Sequence, residues 1–153
     1  MDLSLLKQVD LFEGLTQGQL LKVAAIAEPR AFPAGSRIFD EGSPGHEMYV
    51  VATGKVRISK VVPGIGEEAL AILEQSQVFG EMSVIEDSPR SANALAHTSC
   101  TLWAFSRERL DELLFTDKDL AYVLLWSFVR TLSVRLRETN DKLQTFFAAS
   151  RFQ

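Results

Sequence analysis

The sequence predicts an α+β fold: one continuous all-β block held between helices at both ends. Three observations carry this. From about residue 29 the apolar pattern alternates with period two, and glycines at Gly35, Gly42, Gly45, Gly54, Gly64, Gly66 and Gly80 cut it into short segments. Before that block, and again after residue 106, apolar residues recur near the helical period. From Asp117 to Phe152 there is neither Gly nor Pro to stop a helix. Strands grouped apart from helices indicate α+β rather than an alternating α/β sheet. Many short strands divided by turn residues suggest a sandwich or a barrel.

The first helices are expected over residues 3–8 and 17–27. Thr16 is placed to cap the second, whose buried stripe is Leu20, Val23, Ala24 and Ile26. Leu11-Phe12 between them reads as an apolar plug. Strand-like segments follow at Arg37-Ile38-Phe39, Glu47 to Val51, Lys55 to Val61, Glu68 to Leu73, and Ser91 to Ser106. Gly64-Ile65-Gly66 after Pro63 reads as a hairpin tip. Ser106 is placed to cap a helix from Arg107 to Leu114, and Asp117 one that runs to about Phe147. The chain is therefore read as a single domain, 1–153, with N-terminal helices in 1–28, the β block in 29–106 and C-terminal helices in 107–148.

Composition narrows the function. A hydrophobic fraction of 46% is enough for a core, and a net charge of −4 argues against non-specific nucleic-acid binding. The single cysteine, Cys100, gives no disulfide framework and reads as a small buried hydrophobe in a reducing compartment. The N-terminus shows no basic, apolar leader, and the longest apolar run, Ala121 to Val129, is far short of the ~20 residues of a membrane span. A cytoplasmic protein without membrane contact is the expectation.

The chemistry concentrates in Phe79-Gly80-Glu81-Met82-Ser83-Val84-Ile85-Glu86-Asp87-Ser88-Pro89-Arg90-Ser91-Ala92. Gly80 frees the backbone to turn, and residues 81–86 suit one or two turns of helix with unsatisfied N–H groups at its start. An ionised Glu81 only accepts hydrogen bonds, so it suits sugar hydroxyls rather than phosphate. Arg90 offers a planar fork for a phosphate, with the Ser91 hydroxyl and N–H beside it. Pro89 restricts where Arg90 points. Together these residues read as a pocket for a small phosphate ligand bearing hydroxyls.

In the last helix, Leu125, Phe128, Leu132, Leu136, Thr139, Leu143 and Phe146 are spaced 3 and 4 apart, which suggests a homodimer seam through helix 117–148. Its first turns are expected to pack on their own domain. Thr139 is the polar member of the seam, and Asn140 lies next to it.

Phe79-Gly80-Glu81-Met82 with Pro89-Arg90-Ser91-Ala92 resembles the phosphate-binding cassette of the cyclic-nucleotide-binding domain family, and the resemblance extends over nearly the whole chain. Leu11 to Leu15, Phe32-Pro33-Ala34-Gly35, Glu41-Gly42, Gly45, Met48 to Val51 and Gly54-Lys55-Val56 match its other segments. The resemblance implies an antiparallel, jelly-roll-like β-roll flanked by N-terminal helices and a long C-terminal helix. It also implies cAMP or cGMP as the ligand. Glu81 corresponds to the acid on the ribose 2′-hydroxyl, Arg90 to the arginine on the cyclic phosphate, and Ser91 to its neighbouring hydroxyl. Gly80 and Met82 correspond to backbone contacts. Arg135-Leu136-Arg137-Glu138-Thr139-Asn140 is similar to the catabolite-activator run that reaches the base. Thr139 corresponds to the contact from its own subunit and Asn140 to that from the partner, with asparagine in place of serine. Thr139 favours cAMP.

The expectation is a non-enzymatic sensor that binds a cyclic nucleotide, needs no cofactor or metal, and signals through its dimer helix to an unidentified effector protein. The activator family continues into a DNA-binding domain, and this chain alone is not expected to bind DNA. A metal-dependent cupin is disfavoured because His46 and His97 are isolated from each other. A ligand-free dimerisation module, or a sensor fragment of a transcription regulator, is the alternative.

Overall fold

The computed structural model describes residues 2–150. Met1 and residues 151–153, where the Gly- and Pro-free run ends, lie outside them. Helix α1 (Leu3–Leu6) leads into a 3-10 turn (Asp10–Phe12) and helix α2 (Gln17–Ile26). Thr16 and Gln19 form a reciprocal capping box at the start of α2. Eight strands follow: β1 (Ala27–Phe32), β2 (Arg37–Phe39), β3 (Glu47–Thr53), β4 (Val56–Val62), β5 (Gly66–Leu73), β6 (Val78–Phe79), β7 (Asn93–Ala96) and β8 (Cys100–Ser106). Helix α3 (Glu81–Glu86) interrupts them after β6. Helices α4 (Arg107–Thr116) and α5 (Lys118–Ser150) close the chain. Ser106 Oγ accepts the Arg109 N–H at 3.3 Å and Asp117 Oδ1 accepts the Leu120 N–H at 3.0 Å, so both expected caps form.

The strands pair antiparallel in two four-stranded sheets, ordered β1-β8-β3-β6 and β2-β7-β4-β5. Two cores result. One lies inside the roll, around Val51, Val56, Phe79, Ala94, Ala96 and Leu102. The other joins the helices to the first sheet, with Met48, Val50 and Phe105 meeting Leu6, Phe12, Val23, Leu110, Leu120 and Leu124. Strand β3 supplies both cores, because alternate side chains point to opposite faces. The Leu11-Phe12 plug is buried as expected, and so is Cys100, whose thiol is pushed up by burial.

Several details differ from the sequence reading. Strand β1 (Ala27–Phe32), which follows α2 directly, is not among the expected strand segments. The stretch Ser91 to Ser106 is two strands, split at His97-Thr98-Ser99, and the two-residue β6 carried no pattern of its own. The seam also differs. Phe128 is buried in the helix–sheet core, because the first turns of α5 lie on the 3-10 turn and α4. Beyond Phe128 no α5 residue is fully buried among those described. Leu125, Leu136, Leu143 and Phe146 of the expected seam are exposed, and a second exposed apolar row runs through Tyr122, Trp126, Val129, Leu136, Leu143 and Phe147. Ser133 and Asn140 complete its alternating four- and three-residue steps, which is a heptad repeat. Ser133 and Asn140, not Thr139, are the polar residues on that face.

Candidate functional site

Gly80 precedes α3 in the left-handed region, at φ 75°. A Cβ there would stand 2.6 Å from Arg90 Nη1 and 3.2 Å from the Glu47 carbonyl oxygen, so glycine is required for space as well as for backbone. The freed turn aims Glu81 inward. Its side chain is buried, and its carboxylate pairs with Arg135 of α5. Arg135 also donates through Nη2 to the Val78 carbonyl at 2.9 Å.

Arg90 is 5% exposed. Its backbone is fixed by the loop before β3: the Arg90 N–H donates to Ser43 O at 2.9 Å and the Gly42 N–H to Arg90 O at 2.8 Å. The guanidinium lies 4.1 Å above the Phe39 ring and donates through Nη1 to Gly80 O at 3.1 Å. Nε is buried with no hydrogen-bond partner. Burial pulls the Arg90 pKa down, and the nearby Tyr49, Glu47 and Glu81 oppose it. A buried cation with an unpaired donor calls for an anionic acceptor. Behind it Tyr49 stacks on Phe79 at 5.2 Å and donates its hydroxyl to Glu47 Oε2 at 2.8 Å. Burial, then that carboxylate, raises the Tyr49 pKa and keeps it a neutral donor.

These groups border one cavity of about 450 Å³, a size suited to a small ligand. Gly80, Glu81, Met82, Arg90 and Ser91 line it from the cassette, and Arg135 and Thr139 from α5. Seven of the eight expected site residues thus meet around one space. Asn140 does not line it and faces solvent on the other side of α5. Ser91 is exposed at the rim rather than held within. The sequence reading missed Ser83, Glu138, Lys142, the Phe39 ring and the β5 wall of Leu70 to Leu73. Ser83, 2% exposed in α3, looks in sequence like any small helix residue. By sequence Gly45 reads as one of the turn glycines. Its φ is ordinary, and its role is closeness: a Cβ there would lie 2.4 Å from Ser83 Cβ and 2.8 Å from Arg90 Nε.

A β-roll with a buried arginine and a carboxylate on one small cavity defines a ligand-binding domain, and the family follows. The cyclic nucleotide-binding domain profile matches residues 29–117, more than half of the chain, and the chain belongs to that family. The chain is 37% identical over 138 residues to the cyclic AMP receptor protein of Thermus thermophilus, covering 90% of this chain and 62% of that one. It is 30% identical over 139 residues to a CRP-like cAMP-activated global transcriptional regulator of Mycobacterium tuberculosis, covering 91% and 60%. The N-terminal domain of a transcriptional regulator from Streptomyces coelicolor superposes with a TM-score of 0.78 at 32% identity, covering 91% of this chain and 94% of that one. The chain spans about six tenths of the length of the two curated relatives. No helix among the described residues is long and apolar enough to cross a membrane.

Proposed function

We propose that this chain is a non-enzymatic sensor for a cyclic nucleotide, cAMP in preference to cGMP, in which α5 carries the signal to an effector protein. The observation that carries the proposal is Arg90, almost wholly buried with a free Nε, on the same cavity as Glu81. Arg90 binds the cyclic phosphate, with Ser91 and the Gly80–Met82 backbone beside it. Glu81 accepts from the ribose hydroxyl and Arg135 holds that carboxylate in place. Thr139 meets the base. No metal or organic cofactor enters this scheme, and the sensor is proposed to work in the cytoplasm. The names of the Thermus and Mycobacterium relatives support cAMP.

The exposed heptad face of α5 supports a homodimer, which brings Asn140 of one protomer toward the base held by its partner. Ligand lodged between roll and helix shifts α5 against the roll. Titration calorimetry with cAMP and cGMP tests the reading. Wild type binds, and Arg90→Ala loses about 2–4 kcal/mol of affinity through loss of a buried charge–phosphate pair. Equal affinity in the two proteins refutes the pocket assignment. A second reading, a sensor segment of a transcription regulator, is favoured by the names of the same relatives. Fusion to a reporter operator-binding domain with cAMP-dependent output supports it, and constant output counts against it.

A further inference from the structure

The α5 wall of the cavity has a donor–acceptor pattern that bears on which purine fits. Thr139 Oγ1 donates its proton to the Arg135 carbonyl at 2.8 Å, so the oxygen it turns to the cavity can only accept. Glu138, next to it on the same wall, is also an acceptor. Lys142 stands one turn further on and lines the cavity too. Glu138 and Lys142 have the i, i+4 spacing that commonly pairs on a helix. Among the described residues neither forms an ion pair or a side-chain hydrogen bond, which leaves both free for a ligand. The facing wall, Leu70 to Leu73, is mostly apolar and suits the flat face of a base.

Resting on the sensor reading above, we infer that Glu138 is a purine-discriminating residue that selects a 6-amino over a 6-oxo base. Adenine presents a donor, N6–H₂, beside the acceptor N7. Guanine presents two acceptors, O6 and N7. With the sugar at Glu81 and the phosphate at Arg90, the edge of the base faces α5. Adenine then gives its amino protons to Glu138 and Thr139 and receives the Lys142 ammonium at N7. Guanine sets O6 against two acceptors, and its repulsion is the basis of selection.

Calorimetric titration of the full chain with cAMP and with cGMP compares the wild type, Glu138→Gln and Lys142→Ala. The glutamine keeps the length of the side chain but can turn an NH₂ toward O6. Glu138 is exposed and unpaired, so the melting temperature is expected to stay that of the wild type. The wild type prefers cAMP. Glu138→Gln loses about tenfold of that preference, the low end for a charge-assisted bond after discounting for solvent. Lys142→Ala weakens both nucleotides, cGMP at least as much as cAMP, since both carry N7 and guanine O6 can also accept from the ammonium; a loss confined to cAMP overturns that assignment. A wild-type preference for cGMP, or an unchanged ratio in Glu138→Gln with binding intact, overturns the inference alone. No heat from either nucleotide on the wild type overturns the sensor reading and this inference with it.

Discussion

Gly45→Ala places one methyl group where the cassette is tightest. The new Cβ would lie 2.4 Å from Ser83 Cβ, 2.7 Å from Ser83 Oγ and 2.8 Å from Arg90 Nε. Ser83 Cβ is fixed by the α3 backbone and cannot rotate away. The loop cannot retreat freely either, because Ser43 and Gly42 are hydrogen-bonded to the Arg90 backbone. Overpacking of this kind costs about 1–3 kcal/mol, on the order of 3–9 °C in Tm for a domain of this size. It also displaces Arg90, so affinity for the cyclic nucleotide falls. Gly45→Ala/Ser83→Gly separates the two effects. It removes both contacts to Ser83 and leaves the one to Arg90, so stability recovers in part while affinity stays low. Thermal melting and titration calorimetry of both variants, with Ser83→Gly alone as reference, read the outcome. Gly18→Ala is the unobstructed counterpart, because its Cβ meets nothing within 4 Å; inside α2 it is expected to hold or slightly raise Tm through helix propensity, not lower it. A Gly45→Ala protein with wild-type Tm and wild-type affinity refutes the reasoning.

Asp117 caps α5 and is held below the usual carboxylate range by hydrogen bonds from Lys22 first and then from the Leu120 N–H. Because its folded value is depressed, its contribution is present above the ordinary carboxylate range and is lost as pH falls through the folded value. Asp117→Asn keeps a cap without the ion pair. Its melting deficit against wild type should shrink as the pH drops below about 4, and a deficit constant from pH 7 to pH 2.5 counts against the assignment. Leu136→Asp/Leu143→Asp puts two charges on the exposed heptad face, and light scattering should show a monomer where the wild type shows a dimer. A monomeric wild type sinks the homodimer proposal.

Most of the architecture was legible because it rests on local signals. Thr16, Ser106 and Asp117 cap helices where their side chains predict it, and the glycine spacing marks the strands. The cassette was legible because Gly80, Glu81 and Arg90 need special backbone or charge. What escaped depended on contacts between distant segments. Gly45 and Ser83 are 38 positions apart, and only folding brings them together. Phe128 fits a heptad as well as Leu125 does in sequence, and the 3-10 turn beneath α5 decides which is buried. Phe39 gave no sign that its ring would carry the Arg90 guanidinium. Thr139 and Asn140 are neighbours in the chain, yet one borders the cavity and the other lies on the outer face of α5.

Strand β3 separates the two cores, and its residues from Met48 to Ala52 are all buried. It therefore has no free side on which sequence can drift over evolutionary time. A change at Tyr49 or Val51 is felt inside the roll, and one at Met48 or Val50 beneath the helices. Strand β5 is the opposite case: seven of its eight residues are exposed, yet Leu70 to Leu73 border the cavity. A lineage can remodel that wall, and with it the shape of ligand accepted, while leaving untouched the strand on which both cores depend.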